Sequence, residues 1–174
     1  MPAKSRSWPE LGWSASRARV NKGSELEEDG MATERRAQVT WQGDLMSGSG
    51  TIDSVTSGVL GGLAVSWPSR SEEPGGKTSP EELIAAAEAT CFSMALSHGL
   101  AQAGHTPEQL DTSATVTFQP GEGITKIALT VAGRVPGMSE DDFRAAADDA
   151  KKNCPVSKAL AGVPDVTLDA SLTG

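Results

Sequence analysis

Residues 79–96 read SPEELIAAAEATCFSMAL, and this stretch decides the fold because it carries the signals of one long helix. Ser79 is a typical N-cap, Pro80 suits the first helical position, and Glu82 stands where a capping box requires an acidic side chain. Alanines line nearly every face of the predicted helix. We therefore expect it to be buried on most sides rather than amphipathic, and to end near Gly104.

The segments on both sides of this helix alternate apolar and polar residues, which is typical of strands. We expect a loop over residues 68–78 and a second helix from Ser139, its N-cap, to Cys154, because Pro155 cannot continue the hydrogen-bond ladder. The element order β-β-β-α-β-β-α-β predicts an α+β protein. The expected strands lie around residues 39–41, 51–55 and 63–67 before the long helix, and over 112–119, 124–135 and 166–170 after it.

Residues 1–30 differ from the rest of the chain. They mix arginine, serine, proline and glycine without a helical or strand period and end in an acidic run at 25–29. Such a composition cannot bury enough apolar surface to fold alone. We expect a disordered or non-essential extension, or an over-extended reading frame, before a domain over residues 31–174. Glu10 and the acidic run count against an organellar transit peptide.

The length and charge of the chain restrict its class. The 174 residues suit one domain, and a net charge of -8 argues against nucleic acid or an anionic membrane as a partner. No apolar run approaches the length of a membrane span. Two cysteines are too few for a secreted disulfide scaffold and do not lie at zinc-binding spacing, so we expect a cytoplasmic protein without metal or cofactor.

The two cysteines stand in different surroundings, which suggests redox chemistry. Cys91 lies in the apolar helix, whereas Cys154 opens the segment CPVSKAL. Burial raises the pKa of a thiol and leaves little thiolate, so a reactive Cys91 needs a compensating positive charge, for which Arg70 is the candidate. Structural roles stay open from the residues alone: a cysteine as a small hydrophobe or a helix end, Glu81 as a dipole-complementing acid, and Arg70 as a solvated loop charge.

Four segments carry a resemblance to a known family: SPEEL from Ser79, CFSMAL from Cys91, ITKIAL from Ile124 and CPVSKAL from Cys154. Together they resemble the osmotically induced protein C and organic hydroperoxide resistance (OsmC/Ohr) family of bacterial thiol peroxidases, over residues 36–172. The resemblance implies antiparallel sheets packed on two main helices, and an intertwined homodimer with active sites at its interface.

The resemblance also implies the roles of individual residues. Cys91 matches the peroxidatic cysteine, which becomes a sulfenic acid, and Cys154 the resolving cysteine, which closes a disulfide with it. Arg70 and Glu81 match the catalytic arginine and glutamate. Glu88 stands where family members often carry histidine and is assigned no role. The implied substrate is an organic hydroperoxide, favoured over hydrogen peroxide, and the implied reductant is a dithiol such as a lipoylated protein.

Two other classes of function stay open. A cysteine-dependent acyl transferase or thioesterase would need a histidine near Cys91, whereas His98 lies about two helical turns away. A non-enzymatic redox sensor or small-molecule binding protein could use the same two cysteines. For the peroxidase, Glu81 and Cys91 lie roughly 15 Å apart along one helix, so we expect a site shared between two chains of a homodimer.

Overall fold

A computed structural model describes residues 32–173, and the predicted extension over residues 1–30 lies outside them. Residues from Arg35 onward form one compact unit. The elements are β1 (Ala37–Gln42), β2 (Ser49–Val55), β3 (Leu63–Val65), α1 (Trp67–Ser71), α2 (Pro80–Gln102), β4 (Gln109–Gln119), β5 (Gly123–Arg134), α3 (Glu140–Asn153), α4 (Pro155–Ala159) and β6 (Asp165–Leu172). They confirm the predicted α+β class.

The strands form two three-stranded sheets, in the orders β1-β2-β3 and β4-β5-β6. The first sheet is antiparallel, and so is the β4–β5 hairpin of the second. The pair β5–β6 is parallel, which corrects the expectation of antiparallel sheets at this position. α3 and α4 connect these two strands, and such a helical crossover lets β6 run in the same direction as β5.

A short helix, α1, lies inside the predicted loop over residues 68–78, and that prediction was wrong at this point. Ser66 caps the helix: its side chain accepts a hydrogen bond from the Ser69 backbone N–H, and the Ser69 hydroxyl accepts one from the Ser66 N–H. A single turn is too short to show a hydrophobic period, so only its cap could have signalled it. The helix matters because it carries Arg70.

The long helix α2 begins and ends where the sequence predicts. Ser79 accepts a hydrogen bond from the Glu82 N–H, and the helix reaches Gln102. The expectation that most of its faces are buried was wrong for one chain, since Met94 is 69% exposed. Within one chain α2 packs against β4, α3 and α4, and these cover a single stripe with a spacing of four residues. The stripe consists of Glu88, Phe92, Leu96 and Leu100.

By length and composition, α2 is also the one helix among residues 32–173 that could cross a membrane, although we expected no such segment. Phe92 and Leu96 lie in the hydrophobic core, and the carboxylates of Glu81 and Glu88 are hydrogen-bonded within the protein. These contacts make α2 the core helix of the domain.

Helix α3 packs on the hydrophobic core, and Cys154 lies at its C-terminal end. Phe143 packs directly on Gly133 of β5, where a Cβ atom would lie 2.4 Å from the phenyl ring, so this contact requires glycine. As predicted, Ser139 caps the helix and Cys154 ends it, with the Cys154 N–H donating to the Ala150 carbonyl at 2.8 Å. The core cluster comprises Phe92, Leu96, Leu100, Leu129, Val131, Val135, Phe143, Ala147, Ala150 and Ala170.

Candidate active site

Arg70 and Glu81 form a half-buried ion pair between the end of α1 and the start of α2. The Nε and Nη2 atoms of Arg70 donate to Oε1 of Glu81 at 2.9 and 2.8 Å. Glu81 is only 7% exposed, and its Oε2 has no hydrogen-bond partner among the described residues. The guanidinium also lies 4.1 Å from the centre of the Phe118 ring. These contacts hold Arg70 in one pose, with the ring behind it.

Cys91 and Cys154 come together although they are distant in sequence. Both are free thiols, Cys91 partly exposed on α2 and Cys154 fully buried at the end of α3. They lie close enough for the Cys154 side chain and the backbone N–H of Val156 to act on the pKa of Cys91. Two cysteines whose side chains are neighbours in the fold are candidates for a disulfide.

The surroundings of Cys91 in one chain favour the thiol over the thiolate. Burial is the main cause that raises the pKa of Cys91, followed by the hydrogen bond with Cys154 and by repulsion from Cys154 and Glu88, while the Val156 N–H opposes them. Arg70 is not among the causes of this raised pKa within the described chain. That its charge offsets the burial of Cys91 stays a prediction.

Glu88 is a component of this region to which the sequence assigned no role. It is 1% exposed, and its Oε1 accepts a hydrogen bond of 2.5 Å from the Ser157 hydroxyl on α4. Its Oε2 has no hydrogen-bond partner among residues 32–173. The sequence held one signal: an acidic residue in the part of the helix after Glu82 that has no other acidic or basic side chain except His98, less than one turn before Cys91.

A cavity of about 260 Å³ opens beside Arg70 and is mostly apolar. It lies between the first sheet and the start of α2, and its apolar lining matches the preference for an organic group that the resemblance implies. The residues that line it are Val39, Trp41, Leu45, Ile52, Val65, Ser66, Trp67, Arg70, Pro80 and Leu83.

The histidines and acidic residues form neither a metal site nor a cysteine–histidine pair in the described part of the chain. No group of three or more His, Cys, Asp or Glu side chains between residues 32 and 173 is placed to hold a metal ion. Neither His98 nor His105 is among the groups that act on Cys91. The cysteine–histidine arrangement of an acyl transferase is thus missing from the described site.

The sequence of this chain is similar to those of known proteins. A family model described as "OsmC-like protein" matches residues 73–169. The chain is 43% identical to peroxiredoxin OsmC of Escherichia coli (strain K12) over 145 residues, which are 82% of this chain and 99% of the relative. It is 33% identical to the organic hydroperoxide resistance protein OhrA of Bacillus subtilis (strain 168) over 94 residues, or 53% of this chain and 66% of the relative.

A solved structure shares the fold. The organic hydroperoxide resistance protein OsmC from Legionella pneumophila superposes with a TM-score of 0.56 at 26% identity, covering 78% of this chain and 96% of the other.

Proposed function

The chain belongs to the OsmC-like protein family, and we propose on that basis that it is a thiol peroxidase that reduces organic hydroperoxides to alcohols. The observation that carries the proposal is the closeness of the Cys91 and Cys154 side chains, which come from α2 and the end of α3. A structural thiol needs no second thiol beside it, whereas a peroxidatic cysteine needs one to leave the sulfenate state.

The proposed reduction of a hydroperoxide has three steps. The Cys91 thiolate attacks the terminal oxygen of the hydroperoxide: an S–O bond forms, the O–O bond breaks, and the alkoxide leaves as the alcohol after taking a proton. The Cys154 sulfur then attacks the Cys91 sulfenic acid, forming the disulfide and releasing water. An external dithiol, such as a lipoylated protein, reduces the disulfide and becomes oxidised itself.

Arg70 and Glu81 have the chemistry that the first step requires. A guanidinium lowers the pKa of a nearby thiol and donates hydrogen bonds to the leaving alkoxide. The Glu81 carboxylate keeps the guanidinium in one orientation. Because Glu81 and Cys91 lie roughly 15 Å apart along one helix, we propose that the pair serves Cys91 of a second copy in a homodimer. The exposed apolar side chains of β1, with Trp41 41% exposed beside the cavity, supply a surface for that copy.

The remaining assignments follow from charge and composition. A net charge of -8 disfavours nucleic acid and anionic membranes as partners. We place the protein in the cytoplasm, where free thiols are kept reduced and both cysteines would be available for catalysis.

The test is hydroperoxide consumption by the purified protein with dihydrolipoamide as reductant, comparing cumene hydroperoxide with hydrogen peroxide. We expect many turnovers and faster consumption of the organic peroxide. Cys91→Ser should abolish consumption, whereas Cys154→Ser should form a sulfenate and stop after one equivalent. Consumption of a single equivalent by the unmodified protein would identify a redox sensor instead, and consumption by the Cys91→Ser protein would reverse the roles of the two cysteines.

A further inference from the structure

Glu88 occupies a position in which a carboxylate is costly. It begins the buried stripe that continues with Phe92 and Leu96, and it is 1% exposed. A carboxyl group in such a place loses its hydration and must be compensated by hydrogen bonds. One of its oxygens has a partner, the Ser157 hydroxyl, and the other has none among the described residues. The bond to Ser157 is therefore the contact that explains its placement.

Ser157 belongs to α4, a short helix that packs against α2 and α3. α4 has five residues and none is buried. Cys154, at its N-cap position, makes no side-chain cap hydrogen bond. Among residues 32–173, the Ser157–Glu88 bond is the side-chain to side-chain hydrogen bond that joins α4 to α2. Glu88 thus adds a specific bond to the packing that places this turn on α2.

The same turn carries two groups that act on the pKa of Cys91. Cys154 precedes α4 directly, and the Val156 N–H, which lowers the pKa of Cys91, lies within it. A shift of α4 away from α2 would move the attacking thiol and this donor together. Glu88, less than one helical turn from Cys91, is fixed to the same helix as the sulfur that must be attacked.

We propose that Glu88 is a positioning residue for disulfide formation: through Ser157 it holds the Cys154–Ser157 turn against α2, so that the Cys154 thiol meets the Cys91 sulfenic acid. The inference rests on the proposed peroxidase function and concerns its second step alone. In that step the Cys154 sulfur bonds to the Cys91 sulfur, the S–O bond breaks, and the hydroxide leaves as water with the thiol proton. When the turn is loose, the sulfenic acid survives longer and a second hydroperoxide oxidises it to sulfinic acid.

The test separates the two steps in a single turnover of the full chain. Reduced protein receives one equivalent of cumene hydroperoxide, and samples quenched at intervals are analysed by mass spectrometry for sulfenic acid trapped with dimedone, for disulfide and for sulfinic acid. The variants are Ser157→Ala, Glu88→Leu and Glu88→Gln. The control is Ser93→Ala, which removes a hydroxyl that donates from α2 to Ala89 and Thr112 and does not touch α4.

Loss of the tie should slow disulfide closure by about tenfold or more in Ser157→Ala and Glu88→Leu, the change expected for one buried hydrogen bond to a carboxylate. Sulfenic acid formation should change less than closure does, because the Cys91 thiol lies on α2, outside the turn. Glu88→Gln keeps an oxygen acceptor for Ser157 and should recover most of the closure rate. Sulfinic acid should accumulate in the two slow variants when hydroperoxide is in excess.

Several outcomes overturn the inference. Closure at the unmodified rate in Ser157→Ala would show that the bond does not position Cys154. Equal slowing of both steps, or the same slowing in Ser93→Ala, would show a general loss of fold, and a thermal melt of each variant identifies this case. If Glu88→Leu does not fold, Ser157→Ala decides alone. Absence of both sulfenic acid and disulfide in the unmodified protein would instead refute the proposed function itself.

Discussion

The proposal of a shared site predicts that two inactive chains restore activity when they are combined. One chain carries Cys91→Ser and keeps Arg70 and Glu81; the other carries Glu81→Ala and keeps Cys91. In one chain, Glu81 is paired with Arg70 near the start of α2, and Cys91 lies about three helical turns further on. Neither member of the pair is among the causes of the raised pKa of Cys91 inside the chain. On the proposal of a shared site, a second chain brings Glu81 and Cys91 together.

The size of the effect follows from dimer symmetry. When equal amounts of the two chains reassort at random, half of the dimers are mixed, and each mixed dimer has one complete site of its two if the site is shared. We therefore expect about a quarter of the hydroperoxide turnover of the unmodified protein. If Glu81 and Cys91 serve one site within a chain, every site in the mixture lacks one of them, and turnover stays at the average of the two parents.

The assay refolds the two chains together and measures cumene hydroperoxide consumption with dihydrolipoamide, with native mass spectrometry to count mixed dimers. A matched control combines Cys91→Ser with Cys154→Ser. These two cysteines meet within one chain, so no mixed dimer regains a complete pair and turnover should not rise. The absence of a rise with Glu81→Ala, in a sample that contains mixed dimers, would refute the shared site. A rise of the same size in the control would show that the cysteines also pair between chains.

Three further predictions concern individual residues. Arg70→Ala should lower the free energy of unfolding by about 2 kcal/mol, because the buried Glu81 carboxylate loses both hydrogen bonds, and Arg70→Lys should recover only part of it; urea denaturation measures both, and equal stability of all three proteins would contradict the role of the pair. Glu88→Gln should lower the pKa of Cys91, since it removes one of the repulsive charges that raise it, so the pH midpoint of iodoacetamide alkylation should move down; an unchanged midpoint would remove Glu88 from the electrostatics of the thiol. A chain starting at Met31 should keep the melting temperature and turnover of the full chain, and a large loss in either would show that residues 1–30 pack on the domain.

Local signals made most of the fold predictable from the sequence. The Ser79 cap and Pro80 located the start of α2, and Pro155 located the end of α3, because caps and prolines act through their immediate neighbours. The strands followed from alternation, and the four peroxidase-like segments indicated Glu81, Cys91 and Cys154, whose catalytic roles stay predictions.

The features that the sequence did not predict depend on distant contacts or on very short elements. α1 is a single turn, and the parallel pairing of β6 depends on where α3 and α4 return the chain. The bond between Glu88 and Ser157 joins residues far apart in sequence, so neither hydrophobic periodicity nor residue spacing predicts it. The open faces of α2 follow from how much of it one small sheet and two helices can cover.

The chemistry of the single chain is divided into two incomplete halves. One half holds two thiols close together, but burial and the neighbouring groups keep the pKa of Cys91 raised, so this nucleophile is poorly ionised on its own. The other half holds a fixed guanidinium beside an apolar cavity, without a nucleophile to activate. A thiol peroxidase needs the positive charge and the sulfur beside the same hydroperoxide group. The charge must stabilise both the thiolate and the developing alkoxide. Assembly of two chains across the exposed apolar surface of β1 and the open faces of α2 would join the halves twice, and the lowered thiol pKa would then be a property of the dimer.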